Sequence, residues 1–331
     1  MPDDDAWFIY QGTGREHNRI EELPPPPPWR AFGPDPALAD DPPFVAEVRD
    51  KERRAGERYR PDAKIVKLVN AALYLRRPLL VTGSPGTGKS TLATAIAHEL
   101  RLGQVLRWNI TSRVTLRDGL YQYDPLARLY AASRRDDEPA DSDEDLGQYL
   151  RLGPLGTALL PRRRPRVLLI DEIDKADLDL PNDLLTIFED GEFEIAELLR
   201  RPEHTPIRVT TIDSSEPVTV SGRNRCSRFP IVVMTSNGER EFPPAFLRRC
   251  IPVEIETPGP QKLKEIVAAH LPDMEPGSAA VIGDFLENRE ARGLATDQLL
   301  NAIYLVYASR LDEEETRRAL ADLVMTRLIP R

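Results

Sequence analysis

The stretch LLVTGSPGTGKST, Leu79–Thr91, constrains the fold more than any other part of the chain. A short apolar run leads into Gly83-Ser84-Pro85-Gly86-Thr87-Gly88-Lys89-Ser90, which fits G-x-x-x-x-G-K-[ST] without a gap. Each residue type has a physical task in such a loop. Glycines let the backbone turn around an anion with its N–H groups pointing inward. A helix opening near Lys89 aims its positive dipole end at the same point. Lys89 can reach the outer phosphates of a nucleotide, and the Ser90 hydroxyl can ligate Mg²⁺. Gly83–Thr91 is therefore the candidate phosphate cradle. It demands a strand before it and a helix after it.

The rest of the chain agrees. Ile65, Leu68, Val69, Ala72 and Leu73 recur at helical spacing, so an amphipathic helix precedes the loop. KSTLATAIAHEL reads as the helix that follows it. PLLVTG, Gln104–Ile110, the apolar run inside PRVLLIDEID, Phe229–Asn237 and Cys250–Glu256 read as strands with helices between them. The unbroken apolar character of VLLI suits a parallel strand buried on both faces. The expected fold is α/β: a doubly wound, parallel five-stranded sheet in an αβα arrangement of the P-loop NTPase type. After Pro258 the strands stop. QKLKEIVAAHL, SAAVIGDFLE, TDQLLNAIYLVYASR and the stretch from Leu311 predict a small all-helical lid domain. Within it Glu313 with Arg317, and Glu314 with Arg318, stand at the favourable i, i+4 spacing.

The second chemical signal is VLLIDEID, Val167–Asp174, about 80 residues beyond the loop. It ends a strand in adjacent carboxylates, and strand ends of open parallel sheets are where ligands sit. Asp171 is placed to hold Mg²⁺ through water, joining Ser90 as a metal-side group. Glu172 is placed to polarise an attacking water as general base. Asp174 reads as an N-terminal charge on the next helix. GTPases carry an N-K-x-D tetrapeptide that reads the base. No Asn-Lys pair occurs in this chain, so the expected nucleotide is ATP.

The 331 residues suggest roughly two domains. Residues 1–60 form a Pro-rich, acidic extension, 61–257 the nucleotide-binding domain, and 258–331 the lid. In the extension, ELPPPPPWRAFGPDPALADDPPF cannot make a regular core segment, and Pro24–Pro28 reads as a polyproline II spacer. Trp7, Phe8, Trp29 and Phe32 are anchors that a free tail would not need. Two insertions interrupt the main domain. Ser133–Gly147 is acidic and of low order, and Arg200–Gly222 alternates like a hairpin. A net charge of −9 disfavours broad binding to nucleic-acid backbone, and PRRRPR (Pro161–Arg166) reads as a solvated loop. With two cysteines and four histidines there is neither a disulfide framework nor a zinc-spaced cluster. No apolar run reaches the ~18–20 residues of a bilayer span, and the acidic N-terminus does not resemble a secretory leader. A cytoplasmic setting is the expectation.

Taken in order, these motifs resemble the AAA+ ATPase superfamily, and its MoxR-like branch in particular, over about residues 58–331. The resemblance implies further roles. Thr235-Ser236-Asn237 is similar to the sensor 1 strand end, with Asn237 helping to position the hydrolytic water. FPPAFLRRC (Phe242–Cys250) resembles the segment carrying an arginine finger, which acts on the neighbouring subunit's site. Arg249 is the best match and Arg248 the alternative. Asn109 matches a polar residue that can hold the catalytic glutamate inactive. Arg151–Leu160 resembles the helix-2 insert, and Arg200–Gly222 is placed like a pre-sensor 1 insert that contacts clients. The lid departs from the pattern. GLATDQLLNAI has no arginine where sensor 2 needs one. Asp297 stands nearest, and Arg292 is too early.

The functional expectation is an ATP-hydrolysing, chaperone-like remodelling machine. It works as a homo-oligomeric ring, a hexamer, on a protein client that bears a von Willebrand A-type domain. It has no membrane or nucleic-acid partner. The alternative is an ATP-dependent switch that gates an effector in a multi-protein defence or conflict system with little turnover. A small-molecule kinase shares the loop but has no use for a finger or a lid.

Overall fold

The computed structural model describes residues 6–30, 32–35, 48–133, 143–200, 206–274, 278–292, 294–309 and 314–325. Its centre is a five-stranded, all-parallel sheet: β1 (Leu79–Thr82), β2 (Leu106–Asn109), β3 (Val167–Asp171), β4 (Ile231–Ser236) and β5 (Ile251–Glu254). The spatial order is β5-β1-β4-β3-β2. In register, Thr82 lies beside Ser236 and Asn109 beside Asp171. The loop after β1, the carboxylates ending β3 and the polar end of β4 therefore emerge from one edge of three adjacent strands. That is the crevice where open α/β sheets take ligands.

The burial pattern explains the layering. The central strands β3 and β4 are buried almost throughout, whereas the edge strand β2 alternates, with Leu106 and Trp108 inside and Arg107 and Asn109 outside. Pro252 is tolerated in β5 because that strand lies at the other edge. One sheet face, with Val81, Leu169 and Val233, packs on α2 (Ala63–Leu75) and α3 (Lys89–Glu99). The other, with Leu80, Ile170 and Met234, packs on the elements between β2 and β4, including α4 (Asp179–Asp190). The lid helices α5 (Pro260–His270), α6 (Ala279–Arg292), α7 (Thr296–Ala308) and α8 (Glu314–Val324) enclose a separate core around Leu263, Phe285 and Ile303.

The stretch 1–60 is far from loose in its described part. A helix, α1 (Asp50–Arg58), packs along α3. Phe8, Ile9, Tyr10 and Ile20 join the core beside α2, and each fully buried side chain of this size contributes about 1.5–3 kcal/mol. Asn70, on α2, accepts from the amides of Ile9 (2.7 Å) and Tyr10 (3.0 Å) and donates to Tyr10 O. Of the four expected anchors, Phe8 is buried and Phe32 stacks on Phe229, but Trp7 and Trp29 are exposed. The Trp7 ring nevertheless sits edge-on to Tyr74 of α2, with ring centres 5.5 Å apart, whereas the Trp29 ring is 76 % exposed and does not anchor.

The insertions are more regular than their composition suggests. Ile207–Val209 pairs antiparallel with Val218–Val220, as the alternation in 200–222 predicts. Its neighbour is a second ribbon, Tyr121–Tyr123 with Leu150–Leu152, which the sequence did not announce. A buried pair, Arg166 Nη1 to Asp213 Oδ2 at 2.7 Å, fastens the first ribbon to the start of β3. The acidic stretch 133–147 reads as low in order, yet Asp143–Gln148 forms a helical turn whose Leu146 enters the core. Residues 36–47, 134–142, 201–205 and Glu313, and the side chains of Arg292, Glu314, Arg317 and Arg318, lie outside the described part. Cys226 and Cys250 are free and buried, and burial pushes both thiols up to about 12.

Candidate functional site

The phosphate loop follows β1 and opens α3, as its chemistry requires. Two glycines are needed there for geometric reasons. A side chain on Gly83 would start 2.4 Å from Ile255 O, so only glycine lets the loop cross the end of β5. Gly86 has φ +74 and lies against the lid, where a Cβ would meet that of Ala295 at 2.7 Å. Lys89 is largely buried, and its Nζ donates to Gly83 O (2.7 Å) and Ser84 O (3.0 Å). Burial lowers its pKa, and the carboxylates Asp174, Asp171 and Glu172 oppose that shift. A cation held beside such a loop suits a polyphosphate.

Asp171 is the hub. Its Oδ1 accepts from Ser90 Oγ at 2.8 Å and from Thr235 Oγ1 at 2.5 Å. Thr235 Oγ1 in turn accepts from the Glu172 amide at 2.9 Å. One hydroxyl thus ties the aspartate, the following glutamate and the end of β4 together. Glu172 sits in the left-handed region at φ 61 and ψ 49, a conformation costing roughly 1–3 kcal/mol for a non-glycine residue. Its Oε2 pairs with Lys175 Nζ at 2.6 Å, which raises the lysine's pKa. Asp174 does not cap a helix from outside. It is buried, and its Oδ2 accepts from the amides of Asn237 (2.8 Å) and Glu239 (3.2 Å), holding the loop after β4.

Pro85, Gly86, Gly88, Lys89, Ser90, Thr91, Asp171, Glu172, Thr235 and Asn237 line one cavity of about 360 Å³. The structure thus brings the loop, the paired carboxylates and Asn237 into contact range. Asn109 borders the adjoining space with Glu172 and Lys175, but the glutamate's carboxylate is held by Lys175 rather than by Asn109. A second cavity, about 330 Å³, lies between the loop and the lid and is bounded by Tyr59, Asp62, Ile65, Lys262, His270 and Thr296 among others. Its apolar walls and its position beside Gly88 suit a base and sugar. Lys262 Nζ reaches Asp62 Oδ1 at 3.0 Å across this cleft, joining lid to core. Asp297 Oδ1 stands 3.4 Å from where a Gly86 side chain would begin, behind the nearer Ala295, and Asp297 also borders this second cavity.

Arg248 and Arg249 lie elsewhere. They precede β5, whose first residue pairs with Leu79, the first residue of β1. They therefore sit at the end of the sheet opposite the chain's own phosphate loop, a full strand length away. Arg248 is exposed, and Arg249 Nε donates to Glu189 Oε1 at 2.6 Å.

The sequence reading did not single out Thr235, Lys175, Tyr59, Asp62 or Lys262. Thr235 had a signal, because it stands in the same TSN triplet that nominates Asn237. Tyr59, Asp62 and Lys262 had none, since only the fold places them around one cleft.

For a metal, the donor set is one hydroxyl and one carboxylate in contact, Ser90 and Asp171. Among the described residues no group of three or more His, Cys, Asp or Glu could hold an ion alone. This fits Mg²⁺ completing its shell with phosphate and water rather than an all-protein cage.

A parallel sheet in this order, with a phosphate loop, a carboxylate pair and a polar strand end converging on one crevice, defines a P-loop nucleotide-binding domain. The match to known families is narrower. The AAA domain of the dynein-related subfamily matches residues 78–250, just over half of the chain, and the chain belongs to that family. Nucleotide binding and, in general, ATPase chemistry go with this domain. No curated protein matches the chain. Among the described residues no helix is long and apolar enough to cross a membrane.

Proposed function

We propose that the protein binds ATP with Mg²⁺ in this crevice and hydrolyses it to ADP and phosphate. Gly83–Thr91 cradles the phosphates, with Lys89 on the outer ones. Ser90 and Asp171 hold the metal, which when bound neutralises phosphate charge and orients the leaving group. Glu172 takes the proton from the attacking water, and Asn237 orients that water. Before this step Glu172 must leave Lys175, so the resting ion pair keeps the base out of play. The observation that carries the reading is the shared Asp171 Oδ1: one atom bonded to both Ser90 and Thr235 aligns the metal-side and water-side groups.

The remote position of Arg249 supports a trans role for it, with Arg248 the alternative. A finger acting on a neighbour implies a heterologous interface, which closes into a ring. We read the chain as a MoxR-like, cytoplasmic, hexameric machine. Its lid motion would remodel a protein client, one bearing a von Willebrand A-type domain by resemblance. The switch reading, in which ATP binding gates an effector with little turnover, is favoured by Asp297. Asp297 stands nearest the sensor 2 position, so the sequence offers a carboxylate where the family pattern has a cation to clasp the γ-phosphate.

Glu172→Gln tests the mechanism. The variant should bind ATP as tightly as the native chain and lose at least about 100-fold in kcat. Unchanged turnover would remove Glu172 as the base. A native chain with no ATPase activity, alone or with its client, would move the function to the switch.

A further inference from the structure

The N-terminal segment lies outside the stretch matched to the AAA domain, yet it reaches the candidate finger through one side chain. Arg30 follows the proline run and is almost fully buried. Its Nη2 donates to Arg76 O and to Phe188 O, both at 2.7 Å. Its guanidinium lies 5.1 Å from the ring centre of Phe229 and 5.7 Å from that of Phe32. Phe188 is in the last turn of α4, where unpaired helix carbonyls favour a cation. Phe32 packs against Gly191, the residue that ends the same helix. The segment therefore clamps the C-terminal end of α4 from two sides.

Glu189 stands on that clamped turn. Its Oε2 faces Arg30 Nη1 at 3.6 Å, and its Oε1 accepts from Arg249 Nε at 2.6 Å. Arg249 Nη1 is held by Ala245 O at 3.2 Å. A second tie runs alongside: Arg77, next to the Arg76 carbonyl that Arg30 bonds, donates to Arg248 O at 2.8 Å. The guanidinium of Arg249 is thus gripped along its Nε edge by a carboxylate whose own position depends on Arg30.

We infer that Arg30 is a positioning residue for the finger: through Glu189 it sets the aim of Arg249, so that the N-terminal segment governs the site completed on the neighbouring subunit. This rests on the trans role of Arg249 proposed above. The physical reason is geometric. A guanidinium at the end of a long side chain has many rotamers. It contributes to transition-state stabilisation only when its orientation is fixed beforehand, and a displacement of about 1 Å can cost ~100-fold. Glu189 is half exposed and α4 ends beside it, and among the described residues Arg30 is the buried cation that faces its carboxylate.

The test uses mixed full-length subunits. Arg249→Ala keeps a nucleotide site but has no finger. Lys89→Ala keeps the finger but cannot bind ATP. Mixing them should restore ATPase activity through the Lys89→Ala subunit's finger. Lys89→Ala carrying Arg30→Met as well should restore about tenfold less, and Arg30→Lys in place of Met should recover part of it, because the charge facing Glu189 returns. The Arg30→Met single variant leaves the Arg76 and Phe188 carbonyls unpaired and should melt at a lower temperature, but where it is still folded it should keep its ATP affinity and its KM while kcat falls, a split that a merely structural residue would not give. If the Lys89→Ala subunit restores nothing, the trans reading of Arg249 fails and the inference fails with it. If Lys89→Ala restores activity and the Arg30→Met form restores it equally, the trans reading stands and the positioning role of Arg30 is refuted.

Discussion

Replacing Glu99 with glutamine should release the turn Gln11–Gly14 from the core. Glu99 ends α3, the helix that begins at the phosphate loop, and its carboxylate is fully buried. Oε1 accepts from the amides of Gln11 (2.5 Å) and Gly12 (3.0 Å), and Oε2 from those of Thr13 (2.7 Å) and Gly14 (2.9 Å). Four converging N–H groups form an anion nest around it. In Glu99→Gln one oxygen becomes an NH₂ group, so two of the four amides face a donor. Each hydrogen bond to a charged group is worth about 1.5–3 kcal/mol, which sets a ceiling near 6 kcal/mol for two. The turn can relieve part of this by opening to water, while Phe8–Tyr10 stay packed and bonded to Asn70. A net local loss of about 3 kcal/mol is expected, equal to roughly a 150-fold rise in opening. Hydrogen exchange at the amides of residues 11–14, followed by mass spectrometry or NMR, reads this directly. Protection within about threefold of the native chain would refute the argument that the carboxylate's charge holds the turn.

Two further outcomes follow from the site. Thr235→Val removes the hydroxyl shared by Asp171 and the Glu172 amide and leaves that amide unpaired. Steady-state kinetics should show kcat falling about tenfold or more while ATP affinity changes little, with Thr235→Ser restoring most of the rate. His270, beside the cleft, has its pKa lowered by burial and then by Arg58. Folding then favours the neutral ring. Full stability is present above the unfolded value near 6.5 and is lost as pH falls from there toward the lowered folded value. Urea unfolding between about pH 5 and 7 should show this slope, and His270→Gln should flatten it.

The parts of the site that the sequence announced are those carried by contiguous residues. Gly83–Thr91 and Asp171-Glu172 each hold their chemistry within one turn of chain, and the apolar runs before them name the strands. Thr235 was half legible, because the triplet pointed to Asn237 while the hydroxyl two residues earlier makes the closer bonds. Asn109 does stand at the end of β2, but the Glu172 carboxylate pairs with Lys175. The N-terminal segment was partly legible: Phe8 and Phe32 stood out as anchors and do pack, whereas nothing in the proline-rich pattern marked Ile9, Tyr10 or Arg30 as buried.

The sequence by itself determined the sheet's core strands, the nucleotide loop and the two carboxylates, since local periodicity and a short motif suffice to specify them. Only the tertiary structure decided what surrounds them. It made Asp171 the meeting point of Ser90 and Thr235, put Asp62 opposite Lys262, and joined Arg30 to Arg249 through Glu189. Each of these depends on groups 60 to 200 positions apart in the chain. Such pairings are set by strand order and by which helix end meets which loop, and no residue pattern along the chain carries that information.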